Sequence, residues 1–447
     1  MDERRRTVSL AEPIAGEDVS MNGHDAEHPV DDSALTYEQT IQNSRRAAYQ
    51  MAKLPAAVRQ TALLHMAEVL LENEELILEA NRDDAQAAVQ SGYTETELSA
   101  TELDSTLLRQ IARGVREIAA SSDPLGEVIG GWTAPNGAKI VKTRAPIGTI
   151  GVLFQERPHV AVTAAALCLK SGNSVVMAGC GHSFTTSLAL SRIMRQAAET
   201  CGIPSHAIQF IEDSSPETAR ALTRAFGLID AIIPQGDEAW VLDIIENSLV
   251  PVIATVGSRC HLYVHEDANL DVASRLLAMS AFSEPGASNG VCRLLLHRKI
   301  AKTFAEEYLT AMAEQGLTFR ACPESAKLLP MAEELTIVSE LSGDPMGLDV
   351  VIVKDIDQAI QMINQSGGRS AEAIVAESAK AIDRFSNEVD AACICVNAST
   401  RLSNGYDFGF GVDAGVSTQK LHARGPLSPL DLTTHKYIVY GDGCMLE

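Results

Sequence analysis

The chain has 447 residues, 46% of them hydrophobic and 21% charged, enough to fill the cores of two or three domains. Its net charge of −23 excludes a basic field that would neutralise nucleic-acid phosphates or dock on an anionic membrane. No apolar run reaches the ~20 residues needed to cross a bilayer, and the first twenty residues lack the apolar core of a secretory signal.

Residues 1–35 carry nine acidic side chains against three arginines and show no periodicity, which predicts a disordered tail. From Tyr37 to about Ala120, apolar residues recur at three- and four-residue spacing, which predicts helices. Residues 126–142, GEVIGGWTAPNGAKIVK, place strand-like runs around Pro135-Asn136-Gly137 and predict a β-hairpin. Strands and helices then alternate: IGTIGVLF (147–154), a helix over 159–172, SVVMAG (174–179), a helix over 185–202, AIQFI (207–211), a helix over 216–227, IDAIIPQG (229–236) and PVIAT (251–255). A second alternating run covers about 261–387. This rhythm predicts doubly wound parallel sheets.

Nine cysteines are scattered from Cys168 to Cys444 without a CxxC pair or a His/Cys cluster. They fit reduced thiols in a cytoplasmic protein, with no metal site expected. Neither GxGxxG nor GxxxxGK[ST] is present. Gly179 and Gly236, each after a predicted strand, suit either ligand approach or a plain turn.

Longer stretches are more specific. PIGTIGVLFQERPHVAVTAAALCLKSGNSVV (146–176), NEVDAACICVNASTR (387–401) and VSTQKLHARGP (416–426) resemble gamma-glutamyl phosphate reductase, or glutamate-5-semialdehyde dehydrogenase, a proline-biosynthesis branch of the aldehyde dehydrogenase superfamily. The resemblance runs from about residue 37 to the C-terminus. It implies an aldehyde-dehydrogenase-like α/β fold of two doubly wound domains and a β oligomerisation arm. A cofactor-type domain is expected over 36–126, 147–259 and 387–405, a catalytic-type domain over 260–386, and the arm over 127–146 and 406–447.

The resemblance further implies NADPH-dependent reduction of L-glutamyl 5-phosphate to the semialdehyde through a cysteine thioester, chemistry that suits a thiolate. The family's Pro-x-x-Cys-Asn, registered on Pro285 and on the strand from Leu294, puts the cysteine at Ser288 and the asparagine at Asn289. Cys292 falls where the family has glutamate. His159 replaces an asparagine that helps hold the oxyanion. On this reading Ser288, Asn289 and His159 are the catalytic set. Gly151, Pro158, Gly179, Pro234, Gln235 and Gly236 line the NADP(H) site. Glu156, Arg157, Asn397, Ser399, Thr400 and Arg424 shape the amino-acid end of the pocket, with Arg157 and Arg424 either clamping a carboxylate or serving as scaffold ion pairs.

Departures cluster at the chemistry. Arg-Gly-Gly-Lys becomes Ala178-Gly179-Cys180-Gly181 without its basic residues, and Ile-Pro-Arg-Gly-Gly becomes Ile233-Pro234-Gln235-Gly236-Asp237. Gly-Gly-Ile-Gly becomes Thr255-Val256-Gly257-Ser258, and His-Ser-Asp becomes Ser370-Ala371-Glu372. The expectation is a reductase-like scaffold with impaired catalysis, acting as a binding or partner subunit. It would form a homodimer or homotetramer, or a hetero-oligomer with a competent paralogue. The alternatives are an active NADPH-dependent dehydrogenase and a Ser288-based esterase.

Overall fold

The computed structural model describes residues 36–93, 98, 101–254, 256, 260–283, 287–335, 344, 346–411, 415–441 and 443. The expected tail over 1–35, and Glu284 to Gly286, Thr255, Gly257 and Ser258, lie outside them.

Helices α1 (Tyr37–Met51), α2 (Ala56–Glu72), α3 (Glu74–Gln90) and α4 (Ser105–Ala120) come first. Leu63, Met66, Ala67 and Leu70 repeat on one face of α2 and are all buried. Asp104 caps α4 by accepting the Leu107 amide at 2.7 Å. Strands β1 (Val128–Thr133) and β2 (Lys139–Pro146) then form the hairpin.

The next strands are β3 (Thr149–Gln155), β4 (Ser174–Cys180), β5 (Ile208–Phe210) and β6 (Ala231–Gln235). They build a parallel sheet of order β5-β4-β3-β6. Helices α5 (His159–Lys170), α6 (Phe184–Thr200), α7 (Pro216–Thr223) and α8 (Glu238–Asn247) connect and follow these strands. β3 and β4 are buried along nearly their whole length, as a sheet covered on both faces requires. The strand expected at PVIAT shrinks to one bridge, Val252 with Ile232.

A second sheet gathers β7 (Cys260–Val264), β8 (Val291–His297), β9 (Thr318–Ala321), β10 (Glu333–Glu334), β11 (Gly347–Val353), β12 (Ala371–Val375) and β13 (Cys393–Val396). Its order is β10-β9-β11-β8-β7-β12-β13, all parallel. Its helices are α9 (Leu270–Phe282), α10 (301–314, with a π turn at Ala305–Leu309), α11 (Ile356–Ser366) and α12 (Ala379–Glu388).

Two boundaries differ from the sequence reading. Residues 387–405 do not rejoin the first sheet: β13 pairs with β12 from Ala371↔Cys393 to Ile374↔Val396, and Cys395 packs in the core of the second sheet. Of the described residues in 406–447, only β16 (Thr433–Tyr440) joins the hairpin, giving an antiparallel sheet β1-β2-β16. The short pair β14 (Val416–Ser417) and β15 (Gly425–Pro426) lies beside the first domain, where Thr418 donates its amide to the Ala254 carbonyl at 3.2 Å.

A row of charges crosses the second sheet. Arg320, Asp349, Arg293, His261 and Glu372 are register partners on β9, β11, β8, β7 and β12. Asp349 meets Arg293 at 2.9 Å and Arg320 at 2.7 Å, and Glu372 meets His261 Nδ1 at 2.9 Å. All but Arg320 are buried.

Candidate active site

A cleft of about 990 Å³ lies between the carboxyl edge of the four-stranded sheet and the amino ends of β8 and β11. The first sheet turns direction between β3 and β6, the switch point where open α/β sheets receive ligands.

Ser288 sits in the turn that precedes β8, closed by the Gly290 amide on the Ala287 carbonyl at 2.8 Å. It is exposed and lines the cleft. Cys292 also lines it, from β8, but its thiol donates to the Cys260 carbonyl at 3.3 Å. Burial pushes the Cys292 pKa up to about 12, so it stays a thiol near neutrality. Asn289 lines the cleft too, with its side-chain amide engaged by Arg401. Its Nδ2 donates to the Arg401 carbonyl at 3.1 Å, its Oδ1 accepts from the Arg401 guanidinium, and its own carbonyl accepts from Thr400 Oγ1 at 2.6 Å. It ties the turn to residues 400–402.

His159 opens α5 and lines the cleft. Burial, then the Arg157 charge, lowers its pKa to about 4, so it is a neutral ring at physiological pH. No hydrogen bond joins it to Ser288 among the described residues. Arg157 lines the cleft and is exposed. Glu156 lines it from a left-handed backbone position, φ 54°, and accepts the His182 amide at 3.0 Å.

Other predicted residues serve the scaffold. Asn397 brackets Ala376 through its Oδ1 and Nδ2 at 3.1 and 3.0 Å, and buried Ser399 accepts the Arg401 amide at 3.3 Å. Of the two readings of Arg424, its geometry is that of an ion pair: it meets Asp390 at 2.8 Å and is absent from the cleft lining. Gly151 lies mid-strand, where a Cβ would strike the Ile232 side chain, so its role is sheet packing. Pro158 caps the start of α5 and lines neither cavity. Pro234, Gln235 and Gly236 stand at the switch point.

Sequence reasoning missed Gln155, Asp344 and Asn404 in the lining. It also missed a second cavity of about 720 Å³, where Gly179 meets Arg220, Arg224 and Trp240. The four-residue spacing of those arginines, Arg220 in the last turn of α7 and Arg224 at its C-cap, was the available signal.

The aldehyde dehydrogenase family model matches residues 21–325. The gamma-glutamyl phosphate reductase of Moorella thermoacetica is 40% identical over 414 residues, covering 92% of this chain and 98% of the relative. That of Caldanaerobacter subterraneus is 37% identical over 413 residues, covering 92% and 99%. The chain belongs to the gamma-glutamyl phosphate reductase branch of the aldehyde dehydrogenase family. The crystal structure of the Thermotoga maritima reductase superposes with a TM-score of 0.87 at 31% identity, over 92% of this chain and 100% of that one. An acetylating aldehyde dehydrogenase from Geobacillus thermoglucosidasius, 18% identical with a TM-score of 0.68, shares the fold.

Membership in this reductase branch implies a nicotinamide cofactor in general. The residues at the switch point do not fit its diphosphate. Glu156, Asp237 and Glu238 bring three carboxylates to that edge, and the concavity over Gly236 is filled by the Gln155 and Trp240 side chains.

Proposed function

We propose that this chain is a gamma-glutamyl phosphate reductase homologue in which NADPH-dependent reduction of L-glutamyl 5-phosphate is lost or strongly reduced. It acts in the cytoplasm as a binding or partner subunit of a competent paralogue. One observation carries the reading. The cleft presents the Ser288 hydroxyl where the family resemblance places the nucleophilic thiol, while the neighbouring Cys292 thiol is turned to a carbonyl and held protonated. A serine needs a base within hydrogen-bond reach, and His159, with a pKa near 4 and no bond to Ser288, is a poor one. That geometry supports neither an active dehydrogenase nor an esterase. The exposed Trp132, Tyr437 and Val439 on β1 and β16 support the partner role, since a three-stranded sheet seldom leaves such a face uncovered.

Ser288→Cys tests the reading. The wild type is expected to show no semialdehyde-dependent reduction of NADP. The variant is expected to gain an alkylatable cleft thiol with little turnover. Wild-type turnover overturns the proposal. Full activity in Ser288→Cys would mean that the changes around the cofactor edge matter little.

A further inference from the structure

We infer that Asp237, standing where the family has glycine, joins the family's Glu156 in supplying carboxylates to the helix starts along the carboxyl edge of the four-stranded sheet, and that the two together thereby exclude a dinucleotide diphosphate. The inference deepens the proposed loss of reduction. It rests on this edge being the family's cofactor crevice, and it is independent of Ser288.

A helix N-terminus binds phosphate because its first amides have no partner within the helix and the dipole adds positive potential. Here several of those amides are already used. At α8, Asp237 Oδ1 accepts the Trp240 amide at 2.9 Å, and the Asp237 amide is itself given to Gln155 Oε1 at 3.0 Å. At α6, buried Asp84 accepts the Thr185 and Thr186 amides at 3.2 and 2.7 Å. Glu156 takes the His182 amide just ahead of them.

Tyr93 fixes that last carboxylate, donating its hydroxyl to Glu156 at 3.0 Å while its ring meets His182 edge-on at 4.4 Å. α7 begins at Pro216, which has no amide proton, and the Ser215 amide before it goes to Asp213 at 2.8 Å. The concavity over Gly181, where a backbone would admit a phosphate oxygen, holds the Glu156 carboxylate instead: a Cβ built there would strike it. A diphosphate entering this edge would meet negative oxygens in place of N–H groups.

Two substitutions open the edge without attacking the fold. Asp237→Gly keeps an acceptable N-cap. Glu156→Gly places glycine at a left-handed backbone position that glycine adopts readily. NADPH binding is measured by calorimetry on the full-length wild type, on the double variant and on Asp237→Asn, with circular dichroism as the fold control.

The expected result is no saturable heat with the wild type and binding at least ~10-fold tighter in the double variant. Asp237→Asn, which keeps the cap and drops the charge, is expected to behave like the wild type. Saturable wild-type binding overturns the inference, as does a folded double variant that still fails to bind. Equal binding by Asp237→Asn and the double variant also overturns it, because repulsion and not occupancy would then be the cause. Wild-type turnover sinks this inference and the nucleophile reading together, whereas wild-type binding without turnover sinks only this one.

Discussion

The two parallel sheets meet at one cleft and treat their charges in opposite ways. In the seven-stranded sheet, Arg320, Asp349, Arg293, His261 and Glu372 lie side by side across five neighbouring strands, and each finds its partner within the sheet. In the four-stranded sheet, Glu156 and Asp237 stand at the strand ends and spend their oxygens on backbone amides. The first arrangement holds strands together, and losing one member strands the others in a dry interior. The second trims a binding edge, and losing one member mostly exposes amides to water. Charge in the seven-stranded sheet is therefore a matter of stability, and charge on the edge of the four-stranded sheet a matter of what may enter.

The largest break in this contrast is Asp349→Ala. It leaves the buried Arg293 guanidinium and its neighbour Arg320 without their shared carboxylate, and a cost of about 3–5 kcal/mol is expected in urea unfolding. A loss below about 1 kcal/mol would show that water reaches the row and that the contrast is false.

A smaller effect follows from His159. Burial and the Arg157 charge lower its folded pKa to about 4 from the ordinary 6.5. Between those values the unfolded chain binds a proton that the folded chain refuses. Stability therefore rises with pH through this window and falls on acidification from about 7 to about 4, by roughly 2 kcal/mol allowing for the ring's partial exposure. His159→Asn should flatten that share of the pH profile, and an unchanged profile would place the titration elsewhere. Smallest is Asp237→Gly, for which a few tenths of a kcal/mol is expected in the same unfolding experiment. A loss of several kcal/mol would move Asp237 into the structural class and erase the difference between the two regions.

Much of the fold was legible because periodicity reports burial. The apolar runs of β3 and β4 and the i, i+3, i+4 face of α2 announce themselves. The assignment of β13 was not legible, since CICVN reads alike whichever sheet it joins and only the hydrogen-bond register to β12 decides. At the site, family likeness pointed to Ser288, which lies on a turn that lines the cleft. It failed for Asn397, Ser399 and Arg424, whose polar groups serve nearby backbone and Asp390. A residue name reports donor and acceptor capacity, not the direction in which that capacity is used. The carboxylate capping of α6 was hidden for the same reason, because Asp84 and Glu156 approach it from positions far apart in sequence.

Glu156 has one more consequence. A non-glycine residue at φ 54° pays about 1 kcal/mol of backbone preference, and its bonds to His182 and Tyr93 return a similar amount. Glycine at this position would come out nearly even on both counts. A screen scored by melting temperature or expression level would thus pass the exchange as silent, although it removes a negative charge from the mouth of the molecule. Variation at this position is visible only to an assay that offers the protein an anion.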